Sequence, residues 1–423
     1  MLGTLRILHA CRGRSRWPAA ALRALQEQQL RAVVAHAYAR VPFHRRRLEA
    51  ARLTPTAVRT LDDLRRLPTT SKQLLRSTPA AELITRGTDP AGCDVVCTSG
   101  STGMPLRILR GRREVDCHRA AGLRILRELG FRWTDRTLEI RAVSGPTFAA
   151  QRLGVAPKRW VSILDSPAEQ LRALVDFRPQ VICAAASTLR DLAVAVLEAG
   201  VAPPPLRLII QDAEPLLPST RALVARAFGV VPLDVYGLVE LSNFAWECEQ
   251  RAGLHVSADT HLVEILGDDD MPLPPRTPGR IVCTDLLART MPMLRYETGD
   301  WGALATDPCP CGRTFPRIVD LVGREGDVVL LPSGRRLHWP YFHETFARYD
   351  ELDRYQVIQE ELDRVRVRIL ARPERYQALV DRLAAELGTV IPPAVRVEFE
   401  PWNAAPPDPT QKYRPVLTKV RSH

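Results

Sequence analysis

The sequence predicts an α/β protein with a large N-terminal domain and a small α+β C-terminal domain. Short apolar segments alternate with amphipathic helices between residues 167 and 236, which predicts a parallel sheet covered by helices on both faces. From His261 onward, apolar segments separated by Pro-rich turns predict a β subdomain. After Gly323-Arg324, a hairpin, helices and strands follow in an order that predicts a further unit.

The length of the chain also favours more than one domain, because 423 residues exceed a single typical domain. We expect residues 1–90 to form a helical lead-in to the N-terminal domain, residues 91–323 to complete that domain, and residues 324–423 to form the small domain. The lead-in carries apolar residues at helical spacing: Leu30, Val33, Val34 and Ala37.

The other elements are predicted from apolar periodicity and from the positions of Gly and Pro. Helices are predicted over residues 113–129, 168–175, 188–199, 219–228 and 376–387, with another from Tyr341. Strands are predicted over residues 93–97, 180–186, 206–211, 231–235, 261–266, 279–285, 293–296, 365–371 and 395–400, and near Gln356. A hairpin over residues 327–338 should turn on Ser333-Gly334. The β-branched character of segment 93–97 predicts a buried strand.

Composition and charge restrict the class of protein. The hydrophobic content of 45% and the charged content of 25% are typical of a globular protein, and no apolar segment is long enough to span a membrane. The net charge is +11, but the arginines are scattered beside acidic residues, so we expect no nucleic-acid partner. The N-terminus lacks the pattern of a secretory signal, so the nine cysteines are expected to be reduced thiols in a cytoplasmic protein.

A Ser/Thr/Gly-rich stretch over residues 98–105, Thr-Ser-Gly-Ser-Thr-Gly-Met-Pro, has the composition of a phosphate-binding loop. Gly100 and Gly103 permit turns in which successive N–H groups point into one concavity. Hydroxyl groups around such a turn add donors to an anion: Thr98, Ser99, Ser101 and Thr102. The stretch lacks the Lys of the Walker A loop. Taken alone, it is equally consistent with a flexible Ser/Gly surface loop.

Polar residues follow the predicted parallel strands at their carboxyl ends. These clusters are Ser187-Thr188, Asp212-Ala213-Glu214-Pro215 and Tyr236-Gly237-Leu238-Val239-Glu240. Ligands of parallel sheets bind outside the carboxyl ends of the strands, so the three clusters mark the predicted site.

Taken together, these motifs resemble the adenylate-forming acyl-CoA ligase superfamily, and most closely its phenylacetate-CoA ligase-like branch. The matching segments span nearly the whole chain: residues 98–105, 212–215 and 236–240, Arg295-Tyr296-Glu297-Thr298-Gly299-Asp300, Gly323-Arg324 with Asp327, and Lys412. The segments around Val41-Pro42-Phe43 and Leu67-Pro68-Thr69-Thr70-Ser71-Lys72 are also similar to that branch. The resemblance implies an adenylate-forming N-terminal domain and a mobile C-terminal domain.

The resemblance also implies roles for particular residues. Residues 98–103 (Thr98, Ser99, Gly100, Ser101, Thr102 and Gly103) would cradle the β- and γ-phosphates of ATP, and Ala213, Glu214, Tyr236 and the adjacent Gly237 would frame the adenine. Glu240 would hold Mg²⁺, a hard cation that binds carboxylate and phosphate oxygens. Asp300 would bind the ribose hydroxyls with Arg324 nearby, and Lys412 would reach the reacting carboxylate from the small domain, with Asp327 as the hinge.

Several residues depart from the pattern of that family. Leu106 follows the Pro of the loop where a basic or polar residue is common, Asp212 replaces a glycine, and Gln411 replaces the glycine before Lys412. Val239 replaces a threonine whose hydroxyl would contact the α-phosphate. Each site residue also has a simpler structural role open to it, such as a helix-capping acid for Glu240 or a turn residue for Asp300.

A second constellation consists of Cys248, His255, Cys309 and Cys311. Three thiolates and one imidazole suit tetrahedral Zn²⁺, although the Cys-x-Cys spacing is shorter than the usual Cys-x-x-Cys. The arrangement is similar to Cys and His positions of the phenylacetate-CoA ligase-like branch. A complete set of protein ligands leaves no open position, so a structural zinc is predicted; a core histidine beside free cysteines is the alternative.

The resemblance implies an AMP-forming carboxylate-CoA ligase. ATP would activate a carboxylic acid, aryl or arylacetic by the resemblance, with release of pyrophosphate, and coenzyme A would then accept the acyl group. Parts of residues 140–148 and 184–187 are the expected acid pocket. Three alternatives stay open: transfer of the acyl group or AMP to an amine or hydroxyl, a non-catalytic nucleotide-binding homologue, and nucleic-acid binding as a remote reading of the basic charge. The sequence leaves a homodimer open as well.

Overall fold

The computed structural model describes residues 2–98, 105–142, 151, 154–324, 328–346, 348–349, 351–402 and 415–420. The helices are α1 Leu2–Ala10, α2 Ala19–Arg40, α3 Pro42–Ala50, α4 Lys72–Ser77, α5 Ala80–Leu83, α6 Arg112–Glu128, α7 Pro167–Phe177, α8 Ala186–Ala199, α9 Pro218–Phe228, α10 Trp339–Phe346 and α11 Pro373–Leu387. Ser99 to Gly103, Asp327, Lys412 and most of the expected acid pocket in residues 140–148 lie outside the described residues.

The strands of the large domain are β1 Asp94–Cys97, β2 Arg107–Arg110, β3 Thr137–Arg141, β4 Lys158–Ser162, β5 Val181–Ala184, β6 Leu208–Asp212, β7 Leu233–Leu238, β8 Ser242–Glu247, β9 Leu254–Val256, β10 His261–Leu266, β11 Gly279–Asp285, β12 Tyr296–Leu304 and β13 Arg317–Arg324. The strands that follow are β14 Val328–Leu330, β15 Arg336–His338, β16 Leu352–Glu361, β17 Arg364–Ala371, β18 Arg396–Pro401 and β19 Val416–Thr418.

The helical lead-in packs as its periodicity predicts. Leu30, Val33, Val34 and Ala37 of α2 are completely buried. They share a hydrophobic cluster with Leu262, Leu286 and Leu294 of the β subdomain. The lead-in therefore covers the antiparallel part of the large domain.

An eleven-stranded sheet forms the centre of the large domain, in the order β10-β11-β12-β13-β9-β8-β7-β6-β5-β3-β4. The five strands from β7 to β4 are parallel, and β8 pairs antiparallel with β7. The α/β class with a parallel sheet and a β subdomain is therefore confirmed. The two parts are one continuous sheet, since the hairpin of β7 and β8 joins them.

Helices cover both faces of the parallel part. On one face, Leu138, Ile182 and Ile209 share a hydrophobic cluster with residues of α7, α8 and α9. On the other face, Cys183 and Ile210 pack with Ile125 of α6 and with neighbouring residues. Because both faces are covered, ligands reach this sheet at the ends of its strands, and the carboxyl ends of the parallel strands are the predicted site.

The strand predicted over residues 93–97 forms, but the prediction that it is buried is wrong. Strand β1 pairs only with β2, as an antiparallel hairpin separate from the main sheet. Asp94, Val95 and Cys97 are exposed, while Ile108 and Leu109 of β2 are buried. Val95 therefore lies on the surface of this hairpin, and Val96 is half-buried against the cluster that contains Ile108.

The C-terminal residues build a separate four-stranded sheet in the order β18-β17-β16-β19. Its core includes Val357, Val367 and Leu383, with Leu383 contributed by α11. The hairpin β14-β15 has its turn at Ser333-Gly334, as predicted. Trp301 of β12 packs against this core, which joins it to the large sheet. The division of the chain at residue 324 remains a prediction.

No helix within the described ranges combines the length and the apolar character that crossing a bilayer requires.

Candidate active site and metal centre

Thr98, the first residue of the phosphate-loop motif, lies directly after β1 and pairs with Leu106, which directly precedes β2. The Thr98 backbone N–H donates to the Leu106 carbonyl at 3.0 Å, and the Leu106 N–H donates to Thr98 Oγ1 at 3.0 Å. Thr98 is buried, so its hydroxyl oxygen supports the loop rather than lying open to solvent. Leu106 and Ile108 belong to the same hydrophobic cluster as Tyr236 and Tyr296, which places the base of the loop beside those motifs.

The carboxyl end of β6 is held by charged side chains on either side of Ala213. Asp212 forms a bidentate ion pair with Arg141 at the end of β3, with 2.9 Å between Arg141 Nη2 and Asp212 Oδ2. Glu214 accepts bonds from the Ser187 backbone N–H at 2.8 Å and from its hydroxyl at 3.1 Å. Ser187 lies in the first turn of α8, so the Glu214 carboxylate also interacts favourably with the helix dipole. Ala213 itself has a left-handed φ of 72°.

Tyr236 and Asp300 are in direct contact. The Tyr236 hydroxyl donates to Asp300 Oδ2 at 2.7 Å, and the ring packs edge-on against Phe244 with centroids 5.0 Å apart. Burial, with a smaller contribution from Asp300, raises the pKa of Tyr236 well above its ordinary value, so the phenol is neutral. Asp300 lies opposite Arg324 in the register of β12 and β13, so two further predicted site residues meet here at the backbone level.

Gly237 is required by the close approach of β7 and β8. A Cβ at this position would lie 2.5 Å from the Ser242 carbonyl oxygen and 2.6 Å from Asn243 Cα. No backbone atom can be moved aside cheaply at such distances, so the irregular pairing of β7 with β8 at this point needs glycine. Strand β7 then ends at Leu238, directly before Val239 and Glu240.

Glu240 is buried and held by two side chains through one oxygen. Its Oε1 lies 3.0 Å from Lys72 Nζ and accepts a bond from the Tyr296 hydroxyl at 2.7 Å. Arg110 Nη2 donates to the Val239 carbonyl at 2.6 Å and to the Glu240 carbonyl at 3.3 Å, which ties the segment to β2. The Val239 side chain is 40% exposed.

Lys72 was not predicted as a site residue, although it lies in the segment similar to the family. The segment before it is fastened to the start of β12: the Thr70 N–H donates to the Arg295 carbonyl at 2.7 Å, and the Glu297 N–H donates to the Thr70 carbonyl at 3.0 Å. Arg295 adds bonds from Nη1 to the carbonyls of residues 65 and 67. These contacts position Lys72, the first residue of α4, beside Glu240.

Cys248, His255, Cys309 and Cys311 form a compact cluster in which all four ligand atoms lie within 4.8 Å of one another. The Sγ atoms of Cys248 and Cys309 are 3.6 Å apart, and Cys311 Sγ lies 3.4 Å from His255 Nε2. Ligands of tetrahedral zinc, at about 2.3 Å for sulfur and 2.0–2.1 Å for nitrogen, are separated by about 3.8 Å and about 3.6 Å. The cluster thus has nearly the dimensions of a zinc site.

Neighbouring groups prepare the cluster for a cation. His255 Nδ1 lies 3.2 Å from the Phe315 carbonyl, which favours the tautomer that leaves Nε2 free to bind a metal. Burial lowers the pKa of His255 to about 4, so the imidazole is neutral. Burial opposes ionisation of Cys311, but bonds from Arg313 and the neighbouring thiols outweigh it and lower the pKa of Cys311.

The chain is similar in sequence to phenylacetate-coenzyme A ligases. No family model matches the chain. The phenylacetate-coenzyme A ligase of Thermus thermophilus is 33% identical over 329 residues, which cover 74% of this chain and 73% of the relative. The phenylacetate-coenzyme A ligase of Escherichia coli is 28% identical over 345 residues, covering 78% and 77%.

Solved structures show the same fold. A 2-hydroxyisobutyryl-CoA ligase in the postadenylation state superposes with a TM-score of 0.79 at 21% identity, covering 96% of this chain and 91% of that one. ATP-bound MatB from Rhodopseudomonas palustris gives a TM-score of 0.55 at 15% identity, covering 79% and 68%. With a relative one-third identical over most of its length, the chain belongs to the phenylacetate-CoA ligase-like branch of the adenylate-forming acyl-CoA ligase superfamily.

Proposed function

We propose that this protein activates a carboxylic acid with ATP, forming an acyl-adenylate and pyrophosphate, and then transfers the acyl group to coenzyme A. Adenylation converts a poorly electrophilic carboxylate into a good acyl donor, and the thiol of coenzyme A attacks it with loss of AMP. The printed names of the relatives, phenylacetate-coenzyme A ligases, support an aryl or arylacetic acid as substrate. The structures of 2-hydroxyisobutyryl-CoA ligase with acyl-AMP and CoA support the two-step order.

One observation carries this proposal: motifs far apart in the sequence converge at the carboxyl edge of the parallel sheet. Register places Asp212, the last residue of β6, beside Val235 of β7, so Ala213 and Tyr236 each come one residue after this neighbouring pair. Tyr236 then binds Asp300 from β12, and Tyr296 at the start of the same strand binds Glu240. A set of coincidental surface residues would not be joined by direct hydrogen bonds across the fold.

Residues on the phosphate side of the site would bind the phosphates of ATP and compensate their negative charge. Residues Ser99 to Gly103 would bind the β- and γ-phosphates through N–H and hydroxyl donors, and Thr98, whose N–H is paired with the Leu106 carbonyl, would anchor the start of that loop. Glu240 fits a single carboxylate ligand for Mg²⁺, because its two contacts within the described chain use only Oε1. The cation would neutralise phosphate charge. Lys72, next to Glu240, would add a second positive charge on the same side.

On the nucleoside side, Asp300 would accept hydrogen bonds from the ribose hydroxyls. The bond from the Tyr236 hydroxyl to Oδ2 would fix the orientation of the Asp300 carboxylate. Arg324 would lie nearby, since it pairs with Asp300 in the register. Because the carboxylates of Asp212 and Glu214 are held by Arg141 and Ser187, we expect the adenine to meet the backbone around Ala213. Lys412 would approach from the small domain and stabilise the charge that develops as the carboxylate attacks the α-phosphate.

The cysteine and histidine cluster would hold a structural Zn²⁺. Its four donors complete a tetrahedron, so the metal would have no open position for substrate. The metal would fasten the end of β8 to the connection between β12 and β13. The loop from Cys309 onward in turn holds the N-terminal segment, since Arg16 donates to the Cys311 carbonyl at 3.2 Å.

The proposal is tested by measuring pyrophosphate release from ATP and Mg²⁺ with a panel of aromatic and aliphatic acids, each with and without coenzyme A. Release that requires one acid, with a thioester formed only when coenzyme A is present, supports the ligase. Release without thioester would indicate an amine or hydroxyl acceptor, and no release with any acid would favour a non-catalytic homologue.

Two lysine variants make the experiment specific. Lys412→Ala should reduce pyrophosphate release by roughly two to three orders of magnitude, as expected for a residue acting on transition-state charge. Lys419→Ala is the matched control, because Lys419 lies close in sequence but pairs with Glu360 at an exposed position. Equal activities of the two variants would contradict the role of Lys412.

A further inference from the structure

A small cavity of about 130 Å³ lies between α1, α6 and the segment that follows β9. Its charged lining residues are Arg14, Arg124 and Asp259, and its apolar wall includes Ile7, Ala121 and Leu287. None of these residues belongs to the nucleotide or metal sites described above. The cavity is therefore a separate feature whose chemistry has no part in the proposed reaction.

Two guanidinium groups share one carboxylate in this cavity. Arg124 Nη1 binds Asp259 Oδ1, and Arg14 Nη1 lies 3.4 Å from Asp259 Oδ2. Asp259 is completely buried and Arg124 is 3% exposed. The single negative charge of Asp259 thus compensates only one of the two positive charges, and an uncompensated charge in a region of low polarity is destabilising.

Three further donor atoms of these arginines are buried and lack an acceptor within the described part of the chain. They are Nε and Nη2 of Arg124 and Nε of Arg14. Nε and Nη2 form the edge of a guanidinium that matches two oxygens of one carboxylate or phosphate. A buried donor without an acceptor is destabilising, so this edge is suited to an oxyanion.

The surrounding groups hold Arg124 in place without satisfying that edge. Its guanidinium lies over the rings of Trp246 and Phe315, at 5.9 Å and 5.4 Å from their centroids. The nearby Glu128 is already engaged by Ser15 and Arg313. Burial, together with Asp259, raises the pKa of the Cys11 thiol, so this neighbour is not the missing anion.

We propose that the cavity binds one small oxyanion, a carboxylate or an inorganic phosphate, which bridges Arg14 and Arg124. The volume corresponds to about four water molecules at their liquid density, which admits a ligand of about four to six heavy atoms and excludes a nucleotide. Because Ile7 and Arg14 come from the N-terminal segment and Arg124 from α6, a bound oxyanion fastens the start of the chain to the large domain.

Thermal unfolding of the full chain tests this proposal. Inorganic phosphate and acetate are titrated separately at constant ionic strength, with chloride as the balancing anion. One or both should raise the unfolding temperature saturably, and comparing them separates a phosphate from a carboxylate site. Arg124→Lys keeps the charge and removes the two-donor edge, so it should weaken binding roughly tenfold or more.

Ala121→Leu is the second variant, because it fills the cavity without changing a charged group. Phosphate can also bind in the nucleotide site and raise the unfolding temperature from there. The stabilisation assigned to the cavity is therefore only the part that is lost in Ala121→Leu. Arg221→Lys is the control: it changes an arginine of α9 that forms a bidentate pair with Glu247 of β8, and the oxyanion response should remain. No oxyanion response in the natural protein, or an equal response in Ala121→Leu or Arg124→Lys, would overturn the proposal.

Discussion

Replacing Lys72 by methionine tests the ion pair that orders the phosphate side of the site. Glu240 has a side chain that is 3% exposed, and Lys72 is 31% exposed. Removing one partner of a fully buried pair costs about 3–5 kcal/mol. Water reaches the lysine end, and the Tyr296 hydroxyl still donates to Glu240, so we expect a loss of about 2 kcal/mol in the free energy of unfolding.

The assay is equilibrium unfolding in urea with and without Mg²⁺, in the absence of ATP, because Lys72 would itself contribute to phosphate binding. Lys72→Met leaves Glu240 as a buried carboxylate without its cation, so Mg²⁺ should stabilise this variant more than the natural protein if Glu240 binds the metal. Lys72→Arg should lose less stability because it keeps the charge. Lys419→Met removes an exposed pair and should change stability by less than about 1 kcal/mol.

Two outcomes would refute this reasoning. Unfolding of Lys72→Met at the same urea concentration as the natural protein would show that the ion pair contributes nothing to stability. An equal effect of Mg²⁺ on both proteins would show that Glu240 does not bind the metal.

Three further predictions concern stability. Gly237→Ala should destabilise the fold by several kcal/mol, because its Cβ would meet the backbone of β8. Gly122→Ala, in open space within α6, should stabilise the fold by about 0.5–1 kcal/mol. Urea unfolding measures both variants, and equal effects would contradict the clash at Gly237. Burial, reinforced by Asp285, raises the pKa of Glu114 from its ordinary value of 4.5 to about 6. The protonated carboxyl therefore adds to the free energy of unfolding below pH 4.5, and this contribution is lost as the pH rises through 6. Between pH 4 and pH 7 the free energy of unfolding of Glu114→Gln should rise by about 2 kcal/mol relative to that of the natural protein. Parallel pH profiles of the two proteins would disprove this. The purified protein should contain about one zinc per chain by elemental analysis, and Cys309→Ser should lower both zinc content and unfolding temperature; a metal-free natural protein of full stability would rule the site out.

The predicted fold was accurate where one local pattern determined the structure. Strands β10 and β11 have the predicted bounds because their apolar residues are flanked by clear Gly, Pro and Asp signals. Strands β3 and β4 were not among the predicted strands. They carry charged residues that look like a surface segment, yet Lys158 and Glu139 pair across the two strands and are largely buried together. Pairing between strands is not visible in a local pattern.

The same limit applies to the site. The family resemblance implied that residues 236–240 and 295–300 serve one nucleotide site, and the structure joins the two segments through Tyr236 with Asp300 and Tyr296 with Glu240. Lys72 lies in a segment that is similar to the family, but its contact with Glu240 depends on the long-range pairing of Thr70 with the start of β12, which the sequence does not show. The roles of Ser99 to Gly103, Arg324 and Lys412, the hinge at Asp327 and the homodimer all remain predictions.

The acids on either side of Ala213 show why a motif does not determine the role of each side chain. Glu214 matches the family pattern, yet its carboxylate is used to hold the first turn of α8. Asp212 departs from the pattern, yet it joins the ends of β6 and β3 through Arg141. Between them Ala213 keeps a left-handed φ of 72°, which costs a non-glycine residue roughly 1 kcal/mol. Flanking residues anchored to two other strand ends can maintain that strain, so the motif shapes the backbone at the proposed adenine site.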